Sequence, residues 1–96
     1  MAAMDLLGRR WTLRILWELR DGPLGARALR ERCGDMSSSV LYVRLREVTE
    51  AGLVTQTANE SYELTAAGTS LGTALKPLDE WAVAWAQSRP RQTPDA

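Results

Sequence analysis

The sequence contains no histidine and only one cysteine, Cys33. Without histidine, a Ser-His-Asp triad or a Cys-His pair cannot form, and most zinc sites lack their ligands. We therefore expect no enzymatic activity, no metal and no cofactor. A single cysteine provides no disulfide framework and suits a reducing compartment. We expect Cys33 to be a small, buried, apolar side chain.

Long apolar runs are absent as well. No stretch approaches the ~20 residues that a membrane-spanning helix needs. The first residues do not resemble an export signal, because Arg9 and Arg10 follow the apolar positions instead of preceding them. These absences predict a cytoplasmic protein. A chain of 96 residues makes one domain with a single core, and a dimer interface would add to its small buried surface.

The chain has no excess of charge of either sign. Twelve basic residues balance twelve acidic ones, and the pI is about 6.2, whereas a nucleic-acid module is usually strongly basic. The distribution is uneven, however. Nine of the arginines precede Glu47, while the segment 47–85 holds one base, Lys76. Any binding of a polyanion must therefore depend on local clustering in the first half of the chain.

What the chain does contain is an ordered series of short segments. Three stretches with helical periodicity are each closed by a turn that contains glycine, and two short alternating stretches follow. They are WTLRILWEL before Asp21-Gly22-Pro23, ARALRERC before Gly34-Asp35, SSSVLYVRLREV before Ala51-Gly52, and then LVTQT and SYELT. This order predicts a mainly α fold with a small β-hairpin wing. Such a winged helix-turn-helix has a three-helix core and usually presents one helix to a DNA groove.

The predicted domain spans residues 1–87 and includes a C-terminal dimerisation helix or helices. Pro77 interrupts the apolar pattern of that region, which indicates two helices or one bent helix. The tail from Ser88 to Ala96 carries Pro90 and Pro94 among polar residues, and we expect it to be disordered.

Two apolar surfaces suggest a homodimer. The first predicted helix is apolar on most of its circumference, and the C-terminal segment has a seam with alternating spacings of four and three. The alternative is that this seam packs on its own domain. The candidate interface residues are Leu13, Trp17, Leu71, Leu75, Leu78, Trp81 and Trp85.

The third predicted helix carries the candidate DNA-reading residues. Ser37 is a good N-cap, and Met36 and Leu41 stand at the spacing of a hydrophobic staple. Val40, Leu41, Leu45, Val48 and Ala51 should face the core. The outward residues are Ser38, Ser39, Tyr42, Val43, Arg46, Thr49 and Glu50.

The outward side chains suit groove chemistry. Arg46 can form a bidentate pair with guanine or bind a phosphate, serine and tyrosine hydroxyls can bond either, and Val43 can contact a thymine methyl. Arg44 projects into the apolar stripe, so we expect it either to snorkel or to pair with an acid, and to be structural rather than sequence-reading. In the hairpin, Asn59 should supply the turn. The wing tip carries Glu60 and no base, which gives it little attraction for a minor groove.

Taken together, these segments resemble the HxlR-type winged helix-turn-helix regulators, relatives of the MarR-like proteins. The resemblance covers roughly residues 6–86 and is carried by LLGRRWTLRILWELRDGPL, MSSSVLYVRLREVTEAGLV, YELTAAGTSL and LKPLDEWA. It implies a dimeric bacterial transcription factor, with the first and last helices at the subunit contact and the third helix in the major groove. By position, Arg10 matches the family's basic residue before the tryptophan, and residues 37–43 match the start of its recognition helix. The candidate DNA-binding residues are therefore Arg10, Ser37, Ser38, Ser39, Tyr42, Val43 and Arg46.

Several positions depart from the family pattern. Gly25 and Ala26 replace a basic and an aromatic residue, Ser39 stands where a lysine is common, and the wing is shorter. The redox-sensing cysteine that many members carry ahead of the first helix is also missing. These departures leave a second interpretation open. In that alternative the chain is a protein-interaction module, or binds a small aromatic effector between subunits with the help of Trp17, and has weak or no DNA binding.

Overall fold

The computed structural model describes residues 2–89, which form five helices and one two-stranded hairpin. The elements are α1 (Ala2–Leu7), α2 (Thr12–Glu18), α3 (Ala26–Arg32), α4 (Ser38–Glu50), β1 (Val54–Gln56), β2 (Tyr62–Leu64) and α5 (Ala66–Ser88). This order confirms the predicted mainly α fold with a hairpin wing. The short helix α1 was not predicted. The predicted tail begins at Ser88, which is the last residue of α5, and its residues 90–96 lie outside the described part of the chain.

The core lies where α2, α3 and α4 meet. Its side chains are at most 4% exposed, and they occur at the helical spacings that the sequence showed. Cys33 belongs to this core, as expected. The buried apolar residues are Ile15, Leu16, Leu19, Leu29, Cys33, Met36, Leu41, Leu45, Val48 and Val54.

Two glycines terminate the helices of the helix-turn-helix. After α3, Gly34 has φ +79°, and the amide of Asp35 donates to the carbonyl of Arg30 at 2.9 Å. After α4, Gly52 has φ +81°, and the amide of Leu53 donates to the carbonyl of Val48 at 2.9 Å. Both arrangements are Schellman motifs, in which glycine adopts the left-handed conformation without a Cβ penalty. They fix the direction in which the chain enters and leaves α4.

The wing is a short antiparallel hairpin with a third strand-like partner. Val54 pairs with Leu64 and Gln56 pairs with Tyr62. Leu24, in the loop before α3, exchanges two backbone hydrogen bonds with Tyr62, at 3.0 and 2.8 Å. This bridge was not predicted, and it ties the wing to the start of the helix-turn-helix.

Asn59 lies in the turn of the wing, as predicted, but it is not the residue that adopts the left-handed conformation there. The residue with positive φ is Glu60, at +62°. The Thr57 hydroxyl accepts hydrogen bonds from the amides of Asn59 and Ser61, at 3.3 and 3.1 Å. A threonine side chain therefore organises this turn, as hydroxyls do in turns of this kind.

Helix α5 is one helix across Pro77, so the interpretation as two helices is wrong. Pro77 lacks an amide hydrogen, and the helix loses only that one backbone bond. The N-cap Thr65 attaches α5 to the end of α4: its hydroxyl donates to the carbonyl of Gly52 at 2.6 Å and accepts from the amide of Gly68 at 3.1 Å. From residue 76 onwards α5 is exposed, except for half-buried Ala82, so its second half projects beyond the core.

Candidate nucleic-acid interface

The start of α4 is fixed by its N-cap. The Ser37 hydroxyl accepts a hydrogen bond from the amide of Val40 at 3.4 Å and lies 2.8 Å from the Ser39 hydroxyl. Met36 and Leu41, at the predicted staple spacing, are 4% and 0% exposed. The predicted helix start is therefore confirmed.

One face of α4 is exposed along its length, as its periodicity predicted. Tyr42 and Val43 are 51% and 42% exposed although both are largely apolar. The inward face also agrees, except that Val40 is half-buried and Ala51 is exposed, because Ala51 caps the helix at its end. We call the outward face the α4 ridge; its exposed residues are Ser38, Ser39, Tyr42, Val43, Arg46, Thr49 and Glu50.

Within residues 2–89, Arg46 forms no ion pair and no hydrogen bond, although Glu50 lies four positions further along the helix. Most arginines of the first half are paired instead, to Glu18, Asp21, Glu31 or Glu47. Arg46 thus offers its five donors to an external acceptor. Arg10 is exposed too, with its guanidinium 5.2 Å from the Trp11 ring centroid, and it lies on the loop before α2.

Arg44 is structural, as predicted. Its Nε donates to the carbonyl of Arg10 at 2.8 Å, and its Nη1 donates to Glu47 Oε1 at 3.2 Å. The other oxygen of Glu47 accepts from Arg9 Nη1 at 2.6 Å. This partly buried network joins α4 to the loop that carries Arg10. The pairing of Glu47 with Arg44 agrees with the expectation that Arg44 pairs with an acid, whereas the pairing with Arg9 was not predicted, because Arg9 and Glu47 are distant in the sequence.

Tyr42 stands between two clefts that flank the ridge. The α3 cleft has a volume of about 250 Å³ and is lined by Ala26, Arg27, Arg30, Ser38, Leu41 and Tyr42. The wing cleft has a volume of about 280 Å³ and is lined by Tyr42, Leu45, Arg46, Thr49, Glu50, Gln56 and Tyr62. The α3 cleft contains two arginines and no carboxylate, whereas the wing cleft contains one arginine and one carboxylate. Sequence reasoning missed Arg27 and Arg30, although their spacing of three residues on a helix was a usable signal.

The wing itself contributes acidic rather than basic groups, as predicted. Glu60 is exposed at its tip, and no lysine or arginine occurs between residues 53 and 64. Burial raises the pKa of the Tyr62 hydroxyl, and the neighbouring Tyr42 and Glu60 raise it further. Tyr62 is therefore neutral at physiological pH, and its hydroxyl can serve as a hydrogen-bond donor.

The predicted interface residues divide into three groups. Leu13, Trp17, Leu75 and Leu78 line one apolar cleft of about 230 Å³ between α2 and α5. Leu71 instead packs against the core of its own chain. For this residue the structure agrees with the alternative interpretation, in which the seam packs on its own domain. Trp81 and Trp85 lie further along α5, 59% and 47% exposed, with their rings stacked at a centroid distance of 5.7 Å.

A larger cavity lies beside this apolar cleft. Its volume is about 470 Å³, and it is lined by Trp17, Arg20, Asp21, Leu64, Thr69, Gly72, Thr73, Lys76, Asp79 and Glu80. The Arg20 guanidinium covers the Trp17 ring at 4.0 Å from its centroid. Residues 2–89 contain no cluster of acidic and cysteine side chains that could hold a metal ion. In the same range no helix is long and apolar enough to cross a membrane.

Comparison with known proteins places this arrangement in a family. The model of the HxlR-like helix-turn-helix family matches residues 6–90. The chain belongs to the HxlR-like helix-turn-helix family. The HTH-type transcriptional regulator YodB of Bacillus subtilis is 32% identical over 87 residues, which cover 84% of this chain and 78% of YodB. The predicted resemblance is thus confirmed.

Solved structures of HxlR-like and related proteins share the fold. Quinone-bound YodB from B. subtilis superposes with a TM-score of 0.78 at 31% identity, covering 86% of this chain and 92% of that one. A possible HxlR family transcriptional factor from Thermoplasma volcanium gives 0.80 at 25% identity, with 88% and 82% covered. A MarR-family protein from Enterococcus faecalis gives 0.77 at 32% identity, with 90% and 84% covered. These relatives are transcriptional regulators rather than enzymes, and membership of the family implies DNA binding.

Proposed function

We propose that this chain is a homodimeric transcriptional regulator that recognises specific sequences in duplex DNA with α4 in the major groove. The observation that carries the proposal is the α4 ridge. Its side chains project from a helix whose start and end are fixed by a cap and a Schellman motif. A rigid helix with exposed serine, tyrosine, valine and arginine can present these groups to base edges at one register.

The supply of positive charge also supports this proposal. Arg46 and Arg10 are exposed and form no ion pair within the described residues. DNA affinity depends mainly on neutralised phosphates, and here the neutralising groups lie on and beside α4 instead of on the wing. A neutral chain can therefore bind DNA through one locally basic face.

The homodimer is proposed from the exposed apolar residues of α5. Leu78, Trp81 and Trp85 are between 47% and 59% exposed, and they continue the apolar cleft that Leu13 and Trp17 form with α5. Exposed large apolar side chains on one helix face mark an interaction surface. A second copy of the chain would cover them, and the two-fold symmetry of such a dimer would require half-sites about 34 Å apart, or a multiple of that distance.

The direct test is equilibrium binding of labelled duplex DNA at increasing salt concentration. We expect the logarithm of the association constant to fall linearly with the logarithm of the salt concentration. Genomic fragments selected by the protein should bind more tightly than random duplexes at the same salt. The proposal fails if no duplex binds at low salt, or if selected and random duplexes bind equally.

A second candidate function is the binding of a planar aromatic effector in the cavity of about 470 Å³. Its volume lies within the usual range for ligand pockets, and its lining includes an indole, two cationic side chains and three acidic ones. The structure of YodB with a quinone shows that one relative binds a molecule of this class. Saturable quenching of tryptophan fluorescence by quinones, lost in Trp17→Leu, would support the effector site. Emission that stays constant across a panel of planar compounds would exclude it.

A further inference from the structure

The side chain of Arg30 is in an unusual position. Its Nε atom is buried and has no hydrogen-bond partner within residues 2–89, and its guanidinium forms no ion pair there. Buried polar groups normally have partners, and one without a partner needs an explanation. One turn earlier on α3, Arg27 is 93% exposed, and its contact with Glu31 is long, at 3.6 Å. Ion pairs of that kind are weak, so Arg27 is free to bind another anion.

These two arginines line the α3 cleft together with the hydroxyl groups of Ser38 and Tyr42. Every polar side chain of the cleft can donate a hydrogen bond, and none is a carboxylate. A phosphate group accepts hydrogen bonds and carries negative charge, and arginine binds it with a planar array of donors. The wing cleft is less suitable, because Glu50 opposes Arg46 there.

We infer that the α3 cleft binds a backbone phosphate of duplex DNA, through Arg27 and Arg30, when the α4 ridge enters the major groove. This inference rests on the proposed function. Ser38 and Tyr42 belong both to the ridge and to the cleft, so a duplex in contact with the ridge has a sugar-phosphate backbone beside the cleft. The cleft supplies the cationic contact that the wing, with Glu60 at its tip, does not.

The test compares three substitutions in α3 by equilibrium binding of fluorescein-labelled random-sequence duplexes at several salt concentrations. Arg27→Ala and Arg30→Gln each remove one charge from the cleft. Arg32→Ala is the matched control, because it removes the same charge from an exposed position of the same helix outside the cleft. Thermal melting monitors folding. Arg27 is so exposed that its variant tests the inference even if Arg30→Gln does not fold.

We expect Arg27→Ala and Arg30→Gln to weaken binding to all sequences alike. Each should lower the slope of the salt dependence by up to about one per bound protomer, since the single phosphate contact that the two arginines share contributes about 0.9. Arg32→Ala should keep the wild-type slope. The inference is overturned if the cleft variants keep that slope, or if Arg32→Ala loses as much as they do. If the wild-type protein binds no duplex, the proposed function fails and the inference fails with it.

Discussion

Single side chains on α4 have separate tasks. Arg44 is held by Glu47 and by the carbonyl of Arg10, so it joins α4 to the loop before α2. Arg46, two positions later, has no partner within the described residues and points away from the core. Arginine thus has a structural role at position 44 and is available for recognition at position 46. The difference depends on which face of the helix each residue occupies.

Substituting Arg46 and Arg10 should separate base reading from phosphate binding. Arg46→Ala should relax the preference at one base pair, with a loss of about 1–3 kcal/mol for the preferred base. Arg10→Ala should lower affinity for all sequences alike and reduce the salt slope by about one. Both effects are measured by binding to a selected fragment and to its single-base variants. Equal discrimination by Arg46→Ala and the wild type would contradict a base-reading role.

Cys33 should react slowly with thiol reagents. It is 2% exposed, and burial raises the pKa of its thiol, with Glu18 raising it and Arg14 lowering it to smaller extents. The raised pKa reduces the fraction of the reactive thiolate at neutral pH. Alkylation by iodoacetamide, followed by mass spectrometry, should be far slower in the native protein than in urea. Equal rates in both states would show that the site opens readily.

At the scale of elements, the close packing between the end of α4 and the start of α5 explains why position 68 needs a glycine. A Cβ atom on Gly68 would overlap the carbonyl oxygen of Leu53, which is backbone and cannot rotate away. One turn later, a Cβ on Gly72 would meet nothing within 4 Å. The two glycines share a helix and differ in what they face.

The variants Gly68→Ala and Gly72→Ala should therefore have opposite effects on stability. Gly68→Ala should lower the free energy of unfolding, because an overpacked contact costs roughly 1–3 kcal/mol. That cost exceeds the gain of about 1 kcal/mol that alanine brings through its higher helix propensity. Gly72→Ala brings the same gain without the cost, so it should raise the free energy of unfolding. Urea unfolding monitored by circular dichroism measures both. A stabilised Gly68→Ala would mean that α5 does not pack on the Leu53 carbonyl.

Local signals explain which elements could be predicted. The ends of α3 and α4 followed from Gly34 and Gly52, and the ridge followed from helical periodicity, since both depend on neighbouring residues. Contacts between distant segments left no local signal. The Leu24–Tyr62 bridge, the pairing of Glu47 with Arg9 and the α3 cleft all required the folded chain. The continuous α5 was uncertain because a helix can accommodate an exposed proline by losing a single bond.

At the scale of the whole molecule, four of the seven exposed large apolar side chains within residues 2–89 lie in the second half of α5. The molecule measures 49 × 26 × 26 Å, so it is elongated and has a large surface for its small core. A second copy covering α5 would bury apolar side chains that a single domain of this size leaves in water.

Introducing charge at Leu78 should prevent the proposed dimer without unfolding the chain, because Leu78 is 52% exposed. We expect Leu78→Glu to sediment as a monomer and to bind DNA more weakly. Val83→Glu is the matched control, since Val83 is 51% exposed on the same helix but lies off the apolar seam. A dimer that persists in Leu78→Glu, or is lost equally in Val83→Glu, would show that another surface joins the subunits.

The attachment of α5 through Thr65 has a geometric consequence. The Thr65 hydroxyl donates a hydrogen bond to the carbonyl of Gly52, and the Thr65 amide donates one to the carbonyl of Leu53. Gly68 packs so closely on the Leu53 carbonyl that no Cβ atom fits between them. The end of α4 and the start of α5 therefore meet at a rigid corner. In a two-fold assembly joined by α5, the angle of that corner would fix the separation of the two α4 helices. Residues at the corner would thus influence which operator spacing is accepted, although they are remote from every base.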